Sequence, residues 1–222
     1  VARIIVPACL LAGCSGDLSA LDPAGPSAQS IVQLWWVMLA GSVFLFLLVM
    51  TLFFVVTRKG AMMKRVSARS WIIGGGLVLP LPILIALTGY ALYQGERLIG
   101  THDDRTPMRI EARGRMWTWD FHYPDLPGIS ATANVLHIPA GQPIEILLTS
   151  SDVIHSFWVP RLGGKIDAIP GHVTRLRIEA GRPGSYGGVC AEYCGAGHAG
   201  MDFRVIAHDA EEFERIMSGN IR

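Results

Sequence analysis

Two long stretches without a charged residue govern what this chain can fold into. From Ile31 to Thr57, and again from Trp71 to Gly95, there is no Asp, Glu, Lys or Arg. At about 1.5 Å per residue, a helix over either stretch reaches across a hydrocarbon core of about 30 Å. A pair of buried core helices is the other solution, but globular helices of this length keep a polar face. Trp35, Trp36 and Trp71 stand near the ends of the runs, where interfacial aromatics belong. The reading is a two-helix transmembrane hairpin over residues 31–95.

Charge sets its orientation. The connecting loop, 58–70, carries Arg58, Lys59, Lys64, Arg65 and Arg69 and no acid, whereas Cys14 to Thr57 has no Lys or Arg. The positive-inside rule puts that loop in the cytoplasm and everything after Gly95 on the opposite side. Gly74-Gly75-Gly76 with Pro80 and Pro82 predicts an irregular second helix that relies on neighbours, as inside a larger membrane complex.

The start of the chain reads as an address. Arg3 precedes the apolar run Ile4 to Leu11, and Leu11-Ala12-Gly13-Cys14 follows. This is a short signal-peptide pattern, 1–13, and it resembles a bacterial lipobox, with Cys14 as the lipidated residue. An ordinary secretory signal is the alternative. Residues 14–30, rich in Ser, Ala, Gly, Pro and Asp, read as a flexible tether. Cys9 is then discarded and Cys14 capped, which leaves Cys190 and Cys194 to the exported domain.

From about Arg105 to residue 222 the pattern changes to short alternating stretches, among them Arg109–Gly114, Trp117–Tyr123, Val135–Pro139, Ile144–Thr149, Phe157–Pro160, Thr174–Glu179 and Asp202–Ala207. Turn residues such as Ala140-Gly141 and Pro170-Gly171 separate them. Such spacing predicts an antiparallel β-sandwich or barrel, closed by a short amphipathic helix at Ala210–Met217. With 12 basic and 13 acidic residues from Arg105 onward, nothing points to nucleic acid.

The chemistry lies in Cys190-Ala-Glu-Tyr-Cys194-Gly-Ala-Gly-His198-Ala-Gly-Met201. Thiolate, imidazole and weak thioether make up the ligand set of copper electron-transfer sites. Two cysteines in one loop can bridge two metal ions. His155, at the end of another strand-like stretch, offers a second imidazole that a sandwich can bring to the same end. Three other readings of these residues exist: a Cys190–Cys194 disulfide, a single tetrahedral zinc on both cysteines, His198 and His155, and plain core packing of His155 and Met201.

Asp152-Val-Ile-His155-Ser, Gly164-Lys-Ile-Asp-Ala-Ile-Pro-Gly171 and the Cys190 loop together resemble subunit II of the haem–copper cytochrome c oxidases, with its binuclear copper A motif. The resemblance implies a two-helix anchor plus an all-β cupredoxin Greek-key sandwich. It implies that Cys190 and Cys194 bridge two coppers, that His155 and His198 bind one each, and that Met201 is the thioether ligand. Glu192 would offer its backbone carbonyl, and its carboxylate a magnesium at the border with subunit I. Trp117, in Trp117-Thr-Trp-Asp-Phe-His-Tyr123, takes the place of the family's electron-entry tryptophan; an ordinary aromatic strand packed on the core is the plainer reading. Asp120 and Asp125 could help attract a basic cytochrome c.

The implied partners are subunit I and other oxidase subunits, cytochrome c and membrane lipid, and the implied location is the bacterial inner membrane with the sandwich in the periplasm. The family often carries a glutamate early in the second helix; here Arg69-Ser-Trp-Ile-Ile-Gly has no acid, so proton entry differs or lies in another subunit. No Cys-x-x-Cys-His is present, so no fused haem c domain is expected. The copper A part of a nitrous oxide or nitric oxide reductase is a neighbouring reading, and a membrane-anchored copper carrier or assembly protein a more distant one.

Overall fold

A computed structural model of the chain describes residues 14–58, 67–99, 105–126 and 131–219. The signal-peptide residues 1–13 and most of the basic loop, including Lys59, Lys64 and Arg65, lie outside them. Two compact units are present, a helical one over 33–97 and one holding the rest.

In the helical unit, α1 runs Pro26–Arg58; α2 (Ala68–Ile73), a π-helical turn (Gly74–Val78) and α3 (Pro80–Ile99) follow. Both Pro26–Arg58 and Ala68–Glu96 are long and apolar enough to cross a membrane. Side chains such as Phe44 at 64% and Phe46 at 63% exposure would be costly in water, at about 25 cal/mol per Å². Such a surface belongs in lipid or against apolar partners. The expected irregularity is the π turn, where the Leu79 N–H donates to the Gly74 carbonyl at 2.9 Å. Pro80 lacks an N–H and its ring crowds the carbonyl one turn back. Widening the helix absorbs that conflict, and three glycines bring no Cβ to resist it.

The second unit is a sandwich of two five-stranded sheets. The first contains β1 (Met108–Arg115), β2 (Thr118–His122), β3 (Ala131–Ala133), β5 (Ile144–Ser150) and β8 (Thr174–Ile178), in the order β3-β2-β1-β5-β8. The second contains β4 (Val135–Pro139), β6 (His155–Trp158), β7 (Ile166–Ala168), β9 (Gly184–Cys190) and β10 (Asp202–His208), in the order β4-β10-β9-β6-β7. Helix α4 (Ala210–Met217) closes it, with Asp209 as N-cap and Phe213 and Met217 buried. Alternation fills the interior: Ile144, Ile146 and Leu148 of β5 face Phe157, Phe203 and Val205 from the other sheet in one core.

Two expectations need correction. The sandwich is mixed rather than antiparallel, because β1 pairs parallel with β5 and β4 parallel with β10. The chain crosses between the sheets after β3, β4, β5, β7 and β8. Strands that become neighbours after such crossings can run the same way. The segment before α1 is also no loose tether. Arg161 pairs with Asp22 at 2.8 Å, Arg204 with Asp17 at 2.8 Å, and the Ala24 N–H donates to the Arg161 carbonyl at 2.7 Å. A Cβ on Gly25 would collide with the Glu179 carbonyl, so only glycine lets the strap lie this close.

Candidate metal centre

The site is built where β6 begins and β9 ends. These strands pair antiparallel, with Phe157 opposite Cys190, so His155 and Cys190 are brought to the same end of one sheet. The Cys190 N–H donates to the Met201 carbonyl at 2.9 Å, which closes the base of the loop between β9 and β10. Inside the loop a 3-10 turn, His198–Gly200, turns the chain back toward β10. His155, Cys190, Cys194 and Met201 are all buried.

Cys190 and Cys194 are free thiols with their sulfurs 3.8 Å apart, so the disulfide reading is not the one realised. The other donors divide between them. Cys190 Sγ lies 3.9 Å from His155 Nδ1 and 3.3 Å from the Glu192 carbonyl. Cys194 Sγ lies 3.6 Å from His198 Nδ1 and 3.7 Å from Met201 Sδ. The ligand atoms of His155, Cys190 and Cys194 fall within 4.8 Å of one another. Soft thiolates with imidazoles and a thioether suit copper. Burial, and then the neighbouring Cys190, push the Cys194 thiol up to about 11, so metal binding must displace its proton.

Asp152, part of a motif quoted above but given no role there, completes the surroundings. Burial pushes its carboxyl up, but the Met116 N–H, His155 and the Val153 N–H together outweigh this and hold it at about 2. An ionised carboxylate only accepts, so the His155 Nε2–H donates to Asp152 Oδ1 at 2.8 Å and the bare Nδ1 faces Cys190. The other oxygen, Oδ2, accepts the Met116 N–H at 2.7 Å. Beside Met116, Trp117 is 40% exposed, and its Nε1–H donates to the Cys194 carbonyl at 3.2 Å. A Cβ on Gly197 would fall inside the Trp117 ring, so the loop glycine makes room for it. Gly114 does the same for His155.

Residues 128–208 match the family model described as the periplasmic domain of cytochrome c oxidase subunit II. The cytochrome c oxidase subunit 2 of Alkalihalophilus pseudofirmus is 34% identical over 94% of this chain, which spans 64% of that protein. The ubiquinol oxidase subunit 2 of Acetobacter aceti is 32% identical, over 96% of this chain and 73% of that one. This chain belongs to the cytochrome c oxidase subunit II family. A solved structure, the periplasmic domain of subunit II from Bradyrhizobium japonicum, is 30% identical over 52% of this chain and 94% of its own, with a TM-score of 0.49.

Of the residues singled out in this subunit II sequence, His155, Cys190, Cys194, His198, Met201 and the Glu192 carbonyl converge, and Trp117 forms the rim. The Glu192 side chain is exposed, and among the described residues its carboxylate joins no cluster of three metal-capable groups, so nothing here supports the magnesium. Cys14 lies elsewhere, exposed, its carbonyl accepting the Ser19 hydroxyl at 2.9 Å. Asp120 is already paired with Arg115 at 2.6 Å. Sequence reasoning missed Asp152, Gly114 and Gly197; the acid three residues before His155 was the available signal for the first.

Proposed function

We propose that this chain is the electron-entry subunit of a membrane-bound haem–copper oxidase, taking electrons from cytochrome c and passing them to haem in subunit I. The observation that carries the reading is the convergence of two imidazoles, a thioether and a carbonyl on an adjacent pair of thiols. Cys190, Cys194, His155, His198, Met201 and the Glu192 carbonyl would together hold a pair of coppers. A tetrahedral zinc uses four donors, and six converge here. When bound, the metal pair supplies one-electron storage with little change in bonding.

The chain's own residues keep that geometry constant. The β6–β9 ladder fixes His155 against Cys190. Asp152 holds the imidazole in one tautomer and one orientation. The fully buried His155 and the buried cysteines keep most of the donor set away from water. Trp117 presents an exposed ring bonded to the Cys194 carbonyl, which would give a docked donor a short route to the Cys194 sulfur.

The hairpin would cross a bacterial cell membrane with the sandwich on the periplasmic side, and Cys14 would carry lipid. The ubiquinol oxidase relative raises the second reading, a quinol oxidase subunit. The full donor set favours the first, since the family resemblance ties these ligands to copper A and their loss to quinol oxidation. Electron paramagnetic resonance of the purified, copper-loaded chain tests it. An unpaired electron shared over two copper nuclei is expected; the pattern of a single copper nucleus, or zinc alone after native purification, would overturn it. Purification without any haem-bearing partner would favour a copper carrier instead.

A further inference from the structure

At the opposite end of β10 from the metal centre, two histidines meet. His137 of β4 and His208 of β10 come from parallel neighbours, and His137 Nδ1 lies 2.9 Å from His208 Nε2. The rings are 20° apart with centroids at 5.2 Å. That separation equals the nitrogen–nitrogen gap plus the two ring radii, so the rings meet edge to edge and the nitrogens point at each other. On its far side, His208 Nδ1 faces Glu212 Oε2 of α4 at 3.3 Å, and Glu212 Oε1 lies 3.8 Å from Arg215.

The carboxylate only accepts, so His208 Nδ1 carries a proton. Neutral His208 then has a bare Nε2, and His137 donates its Nδ1–H into it, leaving its own Nε2 bare. One extra proton fits. Taken up at His137 Nε2, it is balanced by passing the His137 Nδ1 proton to His208 Nε2, which leaves an imidazolium between Glu212 and His137. A second extra proton does not fit, because it sets two N–H groups against each other across 2.9 Å. The other groups around the pair are occupied. Tyr123, the residue after β2, accepts the His137 backbone N–H, Asp209 caps α4, and Tyr186 of β9 donates to the Arg182 carbonyl.

We propose that His137, His208 and Glu212 form a one-proton site that latches α4 onto the sandwich and loosens it in acid. Docked, the pair holds at most one extra proton. With α4 lifted, Glu212 and Phe213 no longer cover His208, its ring swings out, and each imidazole takes its own proton. Below about pH 6.5, the ordinary histidine value, the lifted state binds one proton more, and the latch weakens by up to ~tenfold per pH unit. The sign agrees with His137, whose imidazole is held below the ordinary range by burial and then by His208.

Hydrogen exchange of the full chain in detergent micelles, between about pH 7 and about pH 5, tests the latch. The amides of α4 are read against those of β5, after correction for intrinsic exchange. Wild-type α4 is expected to open more as pH falls, by up to ~tenfold per unit. In His137→Gln the amide cannot titrate and can turn its oxygen to accept the His208 Nε2–H, so the docked and lifted states take up the same single proton and the slope is expected to vanish. A flat wild type, or an unchanged slope in the variant, overturns the proposal. Should the variant fail to fold, nitrogen-labelled histidine spectra of the wild type decide: one of the pair must titrate well below the ordinary value, and two independent ordinary titrations overturn it.

Discussion

One oxygen of Asp152 takes the His155 Nε2–H and the other takes the Met116 N–H, so a single carboxylate ties a copper-type ligand to the β1–β2 turn that carries Trp117. Replacing it by Asn keeps the shape but loses one strong acceptor. Copper affinity of Asp152→Asn is expected to fall by about 10- to 100-fold, measured by competition with a chelator, with an altered hyperfine pattern in the retained copper. Cys194 sets the pH response of the same site. Its thiol is raised to about 11 by burial and the adjacent Cys190, so at neutral pH the empty site holds a proton there that copper must expel. Affinity is therefore expected to rise with pH, by up to ~tenfold per unit for each proton released. Chelator competition at a series of pH values checks this; a pH-independent affinity would mean that the thiolate forms without metal.

At the scale of elements, β9 shows why glycine-rich sequence can still be strand. Gly188 sits opposite Phe203, and a Cβ there would enter the aromatic ring. The strand is legible only once its partner is known, since Gly weakens a strand and normally marks a bulge. Gly188→Ala is expected to destabilise the sandwich by ~1–3 kcal/mol through overpacking, read as a lowered melting temperature with copper content per folded chain preserved. Seven of the strands could be read from period-two alternation and turn residues, and the final helix from its amphipathic pattern. β3 and β7, three residues each, were too short to show a period. The π turn was visible as Gly74-Gly75-Gly76 before Pro80, but its form depends on which carbonyl the Leu79 N–H finds.

Over the whole molecule, the chain joins a membrane-type helical unit to a sandwich bearing a buried, soft-donor site; on the proposed reading the first anchors and the second handles electrons. The face around Trp117 also exposes Met116, Val153, Ile154 and Tyr193, while the nearby Asp120 is neutralised by Arg115. Trp117→Phe keeps an aromatic ring but loses the bond to Cys194, worth ~1 kcal/mol. Stopped-flow oxidation of reduced cytochrome c by the intact oxidase is expected to slow in this variant while the copper spectrum stays unchanged; loss of the spectrum would make Trp117 structural. By itself the sequence determined the apolar spans, most strands and the identity of the donors, because these follow from local periodicity, charge and covalent spacing. Only the tertiary structure decided which sulfur each histidine faces, the parallel pairing of β1 with β5, the docked strap before α1 and the reach of Asp152 to both His155 and Met116. Each of these depends on residues far apart in the chain meeting at distances of a few ångströms, and no local pattern records which of them will meet.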